Sequence, residues 1–122
     1  MILVVDDDQQ VRATIRRGLT ALGYAVRDAA SGEEALALIG EQKPQLVVLD
    51  YMMPGMDGAE TAREIARIDP DLPVIFSTGH AALRYLRQAA GEGISILEKP
   101  FTLTELDQLI SDILQARRLR SA

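Results

Sequence analysis

Three short apolar runs, Ile2-Leu3-Val4-Val5, Leu46-Val47-Val48-Leu49 and Val74-Ile75-Phe76, are continuous and do not alternate with polar residues. A strand with one wet face alternates, so unbroken runs of this length predict central strands covered on both faces. Tyr24 to Ala29 mixes polar residues into its pattern, and Ile94-Ser95-Ile96-Leu97 is short. These two segments are expected at sheet edges. Helical spacing fills the gaps. Val11, Ile15, Leu19 and Leu22 line one face after Asp8, Leu36 and Ile39 follow Ser31, and Leu106, Leu109, Ile110, Ile113 and Leu114 recur at steps of three and four. A further helix, roughly Ala81 to Ala90, ends where Gly91 and Gly93 crowd the chain. Ser31 with Glu34, Asp57 with Glu60 and Thr102 with Glu105 have capping-box spacing, and Gly23 and Gly40 are read as helix stops.

Strict alternation of strand and helix predicts an α/β fold: a doubly wound, parallel five-stranded sheet with right-handed crossovers and helices on both faces. A known order for five strands is 2-1-3-4-5, with binding chemistry outside the strand carboxyl ends, where strands one and three separate. The 122 residues suffice for one domain spanning 1–122, with 117–122 read as the start of a linker or C-terminal tail. The formal charge of −5 argues against direct nucleic-acid binding, despite the small basic tail of Arg117, Arg118 and Arg120. With no cysteine and His80 as the lone histidine, neither a disulfide framework nor a zinc cluster is expected. The longest stretch free of Asp, Glu, Lys and Arg, Leu72 to Leu83, has twelve residues, too few to cross a bilayer. The start lacks the pattern of a secretion signal, so a cytoplasmic protein without membrane partners is expected.

In a parallel sheet, whatever follows each apolar run lies along one edge. Strand one runs into Asp6-Asp7-Asp8, strand three into Asp50, strand four into Ser77-Thr78 and strand five into Glu98-Lys99. Asp6, Asp7 and Asp50 should therefore converge. Like charges about 4 Å apart repel by several kcal/mol at an effective dielectric near 20, so the cluster calls for a cation. Hard oxygen ligands suit Mg²⁺. Lys99 adds a second positive charge and Thr78 a hydroxyl donor, which together describe a site for a phosphoryl group with a carboxylate available as nucleophile. The alternative reading of Asp50, a cap for the turn before Pro54, leaves an acid directly after four apolar strand residues without a purpose. Asp8 is read as a helix cap, and Asp57 and Gly58 as starting the third helix.

Ile2-Leu-Val-Val-Asp-Asp-Asp8, Leu46-Val-Val-Leu-Asp50-Tyr-Met-Met-Pro54-Gly-Met-Asp57-Gly58, Ser77-Thr78-Gly79 and Glu98-Lys99-Pro100-Phe101 resemble, in order and across nearly the whole chain, the receiver domains of two-component response regulators. The resemblance implies a flavodoxin-like (βα)5 fold and a phosphorelay function. Asp50 would accept a phosphoryl group from phosphohistidine, Asp7 and Asp50 would ligate Mg²⁺ with the backbone carbonyl of Met52, and Asp6 would hold a metal-bound water. Thr78 would bond a phosphoryl oxygen and Lys99 would pair with the phosphoryl group. A cis Lys99-Pro100 bond is common in the family. The implied partner is a histidine kinase or histidine phosphotransfer protein, met near the first helix and the strand-end loops, with a downstream effector or a covalently linked kinase domain beyond. Such a domain promotes its own phosphorylation and dephosphorylation and is not a conventional enzyme.

Three departures stand out. Ile96 occupies the place of a switch aromatic, Gly79 replaces a common alanine, and Met52 and His80 sit where residues in the family influence phosphoryl lifetime, so changing either is expected to alter dephosphorylation. The segment from His80 to Phe101 is similar to receivers on hybrid sensor kinases, and the chain reads either as a single-domain regulator or, as the abrupt start on strand one hints, as a receiver excised from a larger protein. Two rivals fit less well. A phosphatase of haloacid-dehalogenase type would carry an aspartate where Met52 stands and would need a substrate cap. A flavodoxin-type cofactor module would have a Ser-, Thr- and Gly-rich loop in place of Asp6-Asp7-Asp8.

Overall fold

The structure, a computed structural model, describes residues 1–79, 82–84, 86 and 95–121. Five strands form one parallel sheet: β1 (Ile2–Val5), β2 (Val26–Ala29), β3 (Leu46–Asp50), β4 (Val74–Thr78) and β5 (Ser95–Glu98), in the order β2-β1-β3-β4-β5. The order and the doubly wound class agree with the sequence pattern. Around the sheet lie α1 (Gln9–Ala21), α2 (Gly32–Glu41), α3 (Gly58–Ile68) and a C-terminal helix (Leu103–Ser121). Ala82, Leu83, Arg84 and Leu86 are helical, and the rest of the helix expected over Ala81 to Ala90 lies outside the described residues.

The unbroken apolar runs are unbroken because both sheet faces are dry. Leu3, Val5, Val47, Leu49 and Phe76 face Ala35 and Ile39 of α2 and Ile65 of α3. Ile2, Val4, Val48 and Ile75 face Ile15 and Leu19 of α1 and Leu106 and Ile110 of the C-terminal helix. Each fully buried aliphatic side chain contributes about 1.5–3 kcal/mol by leaving water, so the two layers fix the strand order.

The helix starts follow the sequence signals with one variation. Asp8 accepts from the amides of Gln10 and Val11, and Asp57 from that of Glu60. Thr102 and Glu105 form the reciprocal box, each side chain accepting the other's amide at 3.1 and 3.2 Å. At α2, Ser31 accepts from Glu34 N–H, but Glu34 reaches back to the amide of Ala30, one residue beyond the cap. Gly23 ends α1 with φ of 99°, a left-handed turn suited to glycine. Gly40 is not a stop: it lies inside α2, which ends at Gln42 in extended backbone. The second strand is shorter than the pattern suggests. Tyr24 stays outside β2: its amide donates to Leu19 O at the end of α1 at 3.1 Å, and its hydroxyl to Asp107 of the C-terminal helix at 2.7 Å.

Candidate functional site

Strand register brings the site together. Val5 pairs with Leu49 and Asp50 with Ser77, so Asp6 and Asp50 leave β1 and β3 side by side at the carboxyl edge of the sheet. Carboxylate oxygens of Asp6, Asp7 and Asp50 all lie within 4.8 Å of one another. Asp6 and Asp50 are buried, 2% and 6% exposed, whereas Asp7 is open to solvent. Lys99 follows β5, its amide donating to Thr78 O at 2.7 Å, and the Lys99-Pro100 bond is cis. Its Nζ donates to Asp6 Oδ2 at 3.1 Å and to Asp50 Oδ1 at 3.5 Å.

One lysine does not balance three acids. Burial, then the neighbouring charge of Asp6, pushes the Asp50 carboxyl up to about 6, against the opposing pull of Lys99. Burial also works against the Lys99 ammonium, but the carboxylates of Asp50 and Asp6 outweigh it and hold its pKa above the ordinary lysine value. The raised pKa of Asp50 reflects its burial first and then the charge of Asp6, which Lys99 offsets only in part. An all-oxygen donor set with one open side fits a hard divalent cation.

Thr78 is fully buried at the end of β4, and its hydroxyl donates to the adjacent Gly79 carbonyl at 3.3 Å. Ser77 is also buried, and its hydroxyl has no partner among the described residues. A cavity of about 650 Å³ opens beside Asp50, which lines it together with Tyr51, Met52, Asp57, Gly79, Ala82 and Lys99. Met52 is 64% exposed at its mouth. His80 lies outside the described residues.

Two contributors escape the sequence reading of the site. Gly58, read with Asp57 as starting the third helix, packs so tightly that a Cβ there would lie 2.6 Å from Asp50 O and from Tyr51 Cα, while its amide donates to Tyr51 O at 2.9 Å. Arg12 donates to the carbonyl of Asp6 at 2.8 Å. The glycine carries a legible signal, since it directly follows the cap of α3; an arginine inside an amphipathic helix carries none.

A single strand-end cluster of acids facing a lysine and a buried threonine, on a 2-1-3-4-5 sheet, defines a phosphoacceptor domain. Residues 2–111 match the family model of the response regulator receiver domain, and the chain belongs to that family, whose members act as phosphoacceptors in two-component signalling. It is 43% identical over 106 residues to the response regulator MprA of Mycolicibacterium vanbaalenii, covering 86% of this chain and 46% of that protein. The chain thus spans about half the length of the curated relatives it matches. In structure it is similar to the receiver domain of NtrX from Brucella abortus, with TM-score 0.88, 33% identity and coverage of 94% of this chain and 98% of that one. A response regulator receiver domain protein from Clostridium thermocellum gives TM-score 0.89 at 33% identity, covering 97% and 96%. These likenesses do not favour the phosphatase reading. Among the described residues, no helix is long and apolar enough to cross a membrane.

Proposed function

We propose that Asp50 is the residue that accepts the phosphoryl group. One carboxylate oxygen of Asp50 attacks phosphorus in line, forming the O–P bond as the N–P bond of a phosphohistidine breaks and the imidazole leaves. With its pKa near 6, Asp50 is predominantly ionised at neutral pH and available as a nucleophile. Lys99, already within reach of Asp50 Oδ1, pairs with a phosphoryl oxygen. The Thr78 hydroxyl exchanges the Gly79 carbonyl for another phosphoryl oxygen, which biases the β4 loop between two arrangements. Mg²⁺ would be held by Asp7, Asp50 and the Met52 carbonyl, with Asp6 on a bound water, and would supply charge compensation for the transferring oxygens.

The donor is a histidine kinase or phosphotransfer protein in the cytoplasm, approaching along α1 and the strand-end loops, and the domain's turnover is confined to its own phosphoryl group. The curated relatives are about twice this chain's length, which supports a linked effector or kinase region as the onward partner. The observation that carries the reading is the meeting of Asp6, Asp7 and Asp50 with Lys99 bridging two of them. Intact-mass measurement after incubation with acetyl phosphate and Mg²⁺ tests it: the parent gains one phosphoryl group and Asp50→Asn gains none. Equal labelling of both would remove Asp50 as the acceptor.

A further inference from the structure

We infer that Arg12 is a positioning residue for the divalent-cation site, acting through the backbone of Asp6; the inference rests on the receiver reading above. Every polar atom of Asp6 is held. Its amide donates to Ala29 O at 3.2 Å, Oδ1 accepts from Asp8 N–H at 2.9 Å, Oδ2 accepts from Lys99 at 3.1 Å, and its carbonyl accepts from Arg12 Nη1 at 2.8 Å. Three of these contacts come from the ends of strands or the acidic loop itself. The fourth comes from a helix.

Arg12 is the fourth residue of α1, close to the positive end of the helix dipole, where a cation is disfavoured. Its side chain is also only 16% exposed. A cation in such a place is retained for its partners. Its Nε donates to Asp28 Oδ2 on β2 at 2.7 Å, and Arg16 donates to Asp28 Oδ1 at 3.1 Å. Asp28 thus anchors the guanidinium while the other arm of the fork reaches the end of β1. The planar, multi-donor guanidinium can serve both acceptors at once, which an ammonium on a flexible stem cannot.

The consequence lies one residue downstream. A peptide unit is planar, so fixing the Asp6 carbonyl fixes the plane that carries the Asp7 nitrogen. Asp7 is the exposed member of the acidic cluster. Arg12 therefore limits where that carboxylate starts from, and orders the acidic loop before a cation arrives. Partners behind the coordinating groups commonly change metal affinity by about 10–100-fold when removed.

The test uses the full chain with Arg12→Met, which keeps the apolar stem, Arg12→Lys, which serves one partner at a time, and Ile39→Val, a mild destabilisation in the α2 and α3 layer remote from the site. Calorimetric titration with Mg²⁺ alone should show affinity about tenfold weaker for Arg12→Met and an intermediate loss for Arg12→Lys. Without metal, the Asp8 amide, bonded to Asp6 Oδ1, should exchange its hydrogen faster in Arg12→Met. In acetyl phosphate labelling, the half-saturating Mg²⁺ should rise while the maximal rate stays within about twofold. Parent-like Mg²⁺ affinity in folded Arg12→Met would overturn the proposal, as would an equal loss in Ile39→Val, which would mark a stability effect. If Arg12→Met does not fold, Arg12→Lys decides: parent-like affinity there is equally fatal. Absence of Mg²⁺ binding by the parent, visible before any substitution, would overturn the proposed Mg²⁺ site and this inference with it.

Discussion

Asp50 and Asp69 are both buried acids within reach of a lysine, at opposite ends of the same two strands. Asp50 closes β3 at the carboxyl edge, 6% exposed, and faces Lys99. Asp69 lies before β4 at the amino edge, 8% exposed, and pairs with Lys43 at 2.8 Å while accepting the Asp71 amide at 3.0 Å. The Lys43 contact and the Asp71 amide hold the Asp69 carboxyl below the ordinary carboxylate range. Burial and Asp6 drive Asp50 the other way, to about 6. Residue types are alike; the ratio of charges is not. Asp69 has Lys43 in contact and the charge of Arg117 also acting on it, whereas three acids face one lysine in a cluster that could hold a metal ion.

The largest separation between the two acids should appear in chemistry. Asp50→Asn should lower phosphoryl labelling by acetyl phosphate at least about 100-fold, and Asp69→Asn should leave it within about twofold, both read by intact mass. Comparable losses would dissolve the contrast. Next in size, Gly58→Ala forces a Cβ against Asp50 O and Tyr51 Cα, so labelling should fall about tenfold or more while the far-ultraviolet circular dichroism keeps the parent's shape.

Stability against pH should separate the two acids by sign. For Asp50, the folded pKa lies above the unfolded value of 3.8, so the native state binds the extra proton between the two values. Stability of metal-free protein due to this group is therefore lost as pH rises from about 4 to 6. Asp50→Asn, which resembles the protonated form, should be more stable than the parent by about 1–3 kcal/mol at pH 8, with the gap closing towards pH 4 in urea melts. For Asp69, the folded pKa lies below the unfolded one. Its contribution is present above the ordinary carboxylate pKa and lost as pH falls through the depressed value, so Asp69→Asn should be less stable at neutral pH and should converge on the parent in acid. The smallest effect concerns Mg²⁺: at pH 7.5 it should raise the parent's melting temperature by a few degrees and leave Asp50→Asn almost unmoved.

Much of this was legible in residue order. The dry strands announce themselves as unbroken aliphatic runs, and parallel pairing then dictates that Asp6, Asp7 and Asp50 meet, because residues following each run share an edge. Lys99 and Thr78 follow by the same logic. Less visible were features that depend on how far a side chain reaches in space. Tyr24 reads as strand by composition, but its amide is taken by Leu19 O at the end of α1 and its hydroxyl by Asp107 on a distant helix. Gly40 reads as a stop, but α2 continues through it because leucine and isoleucine before it are already seated on the sheet. Arg12 reads as one more charge on an amphipathic helix; its role depends on Asp28 lying on the adjoining strand, a juxtaposition set by tertiary packing.

The seat of Gly58 has a mechanical consequence. Because α3 begins with its backbone close against Asp50 and Tyr51, Gly58 puts no side chain between Asp50 and the helix. A displacement of the β3 terminus would therefore meet the backbone of α3 directly, with no side chain at Gly58 to take it up.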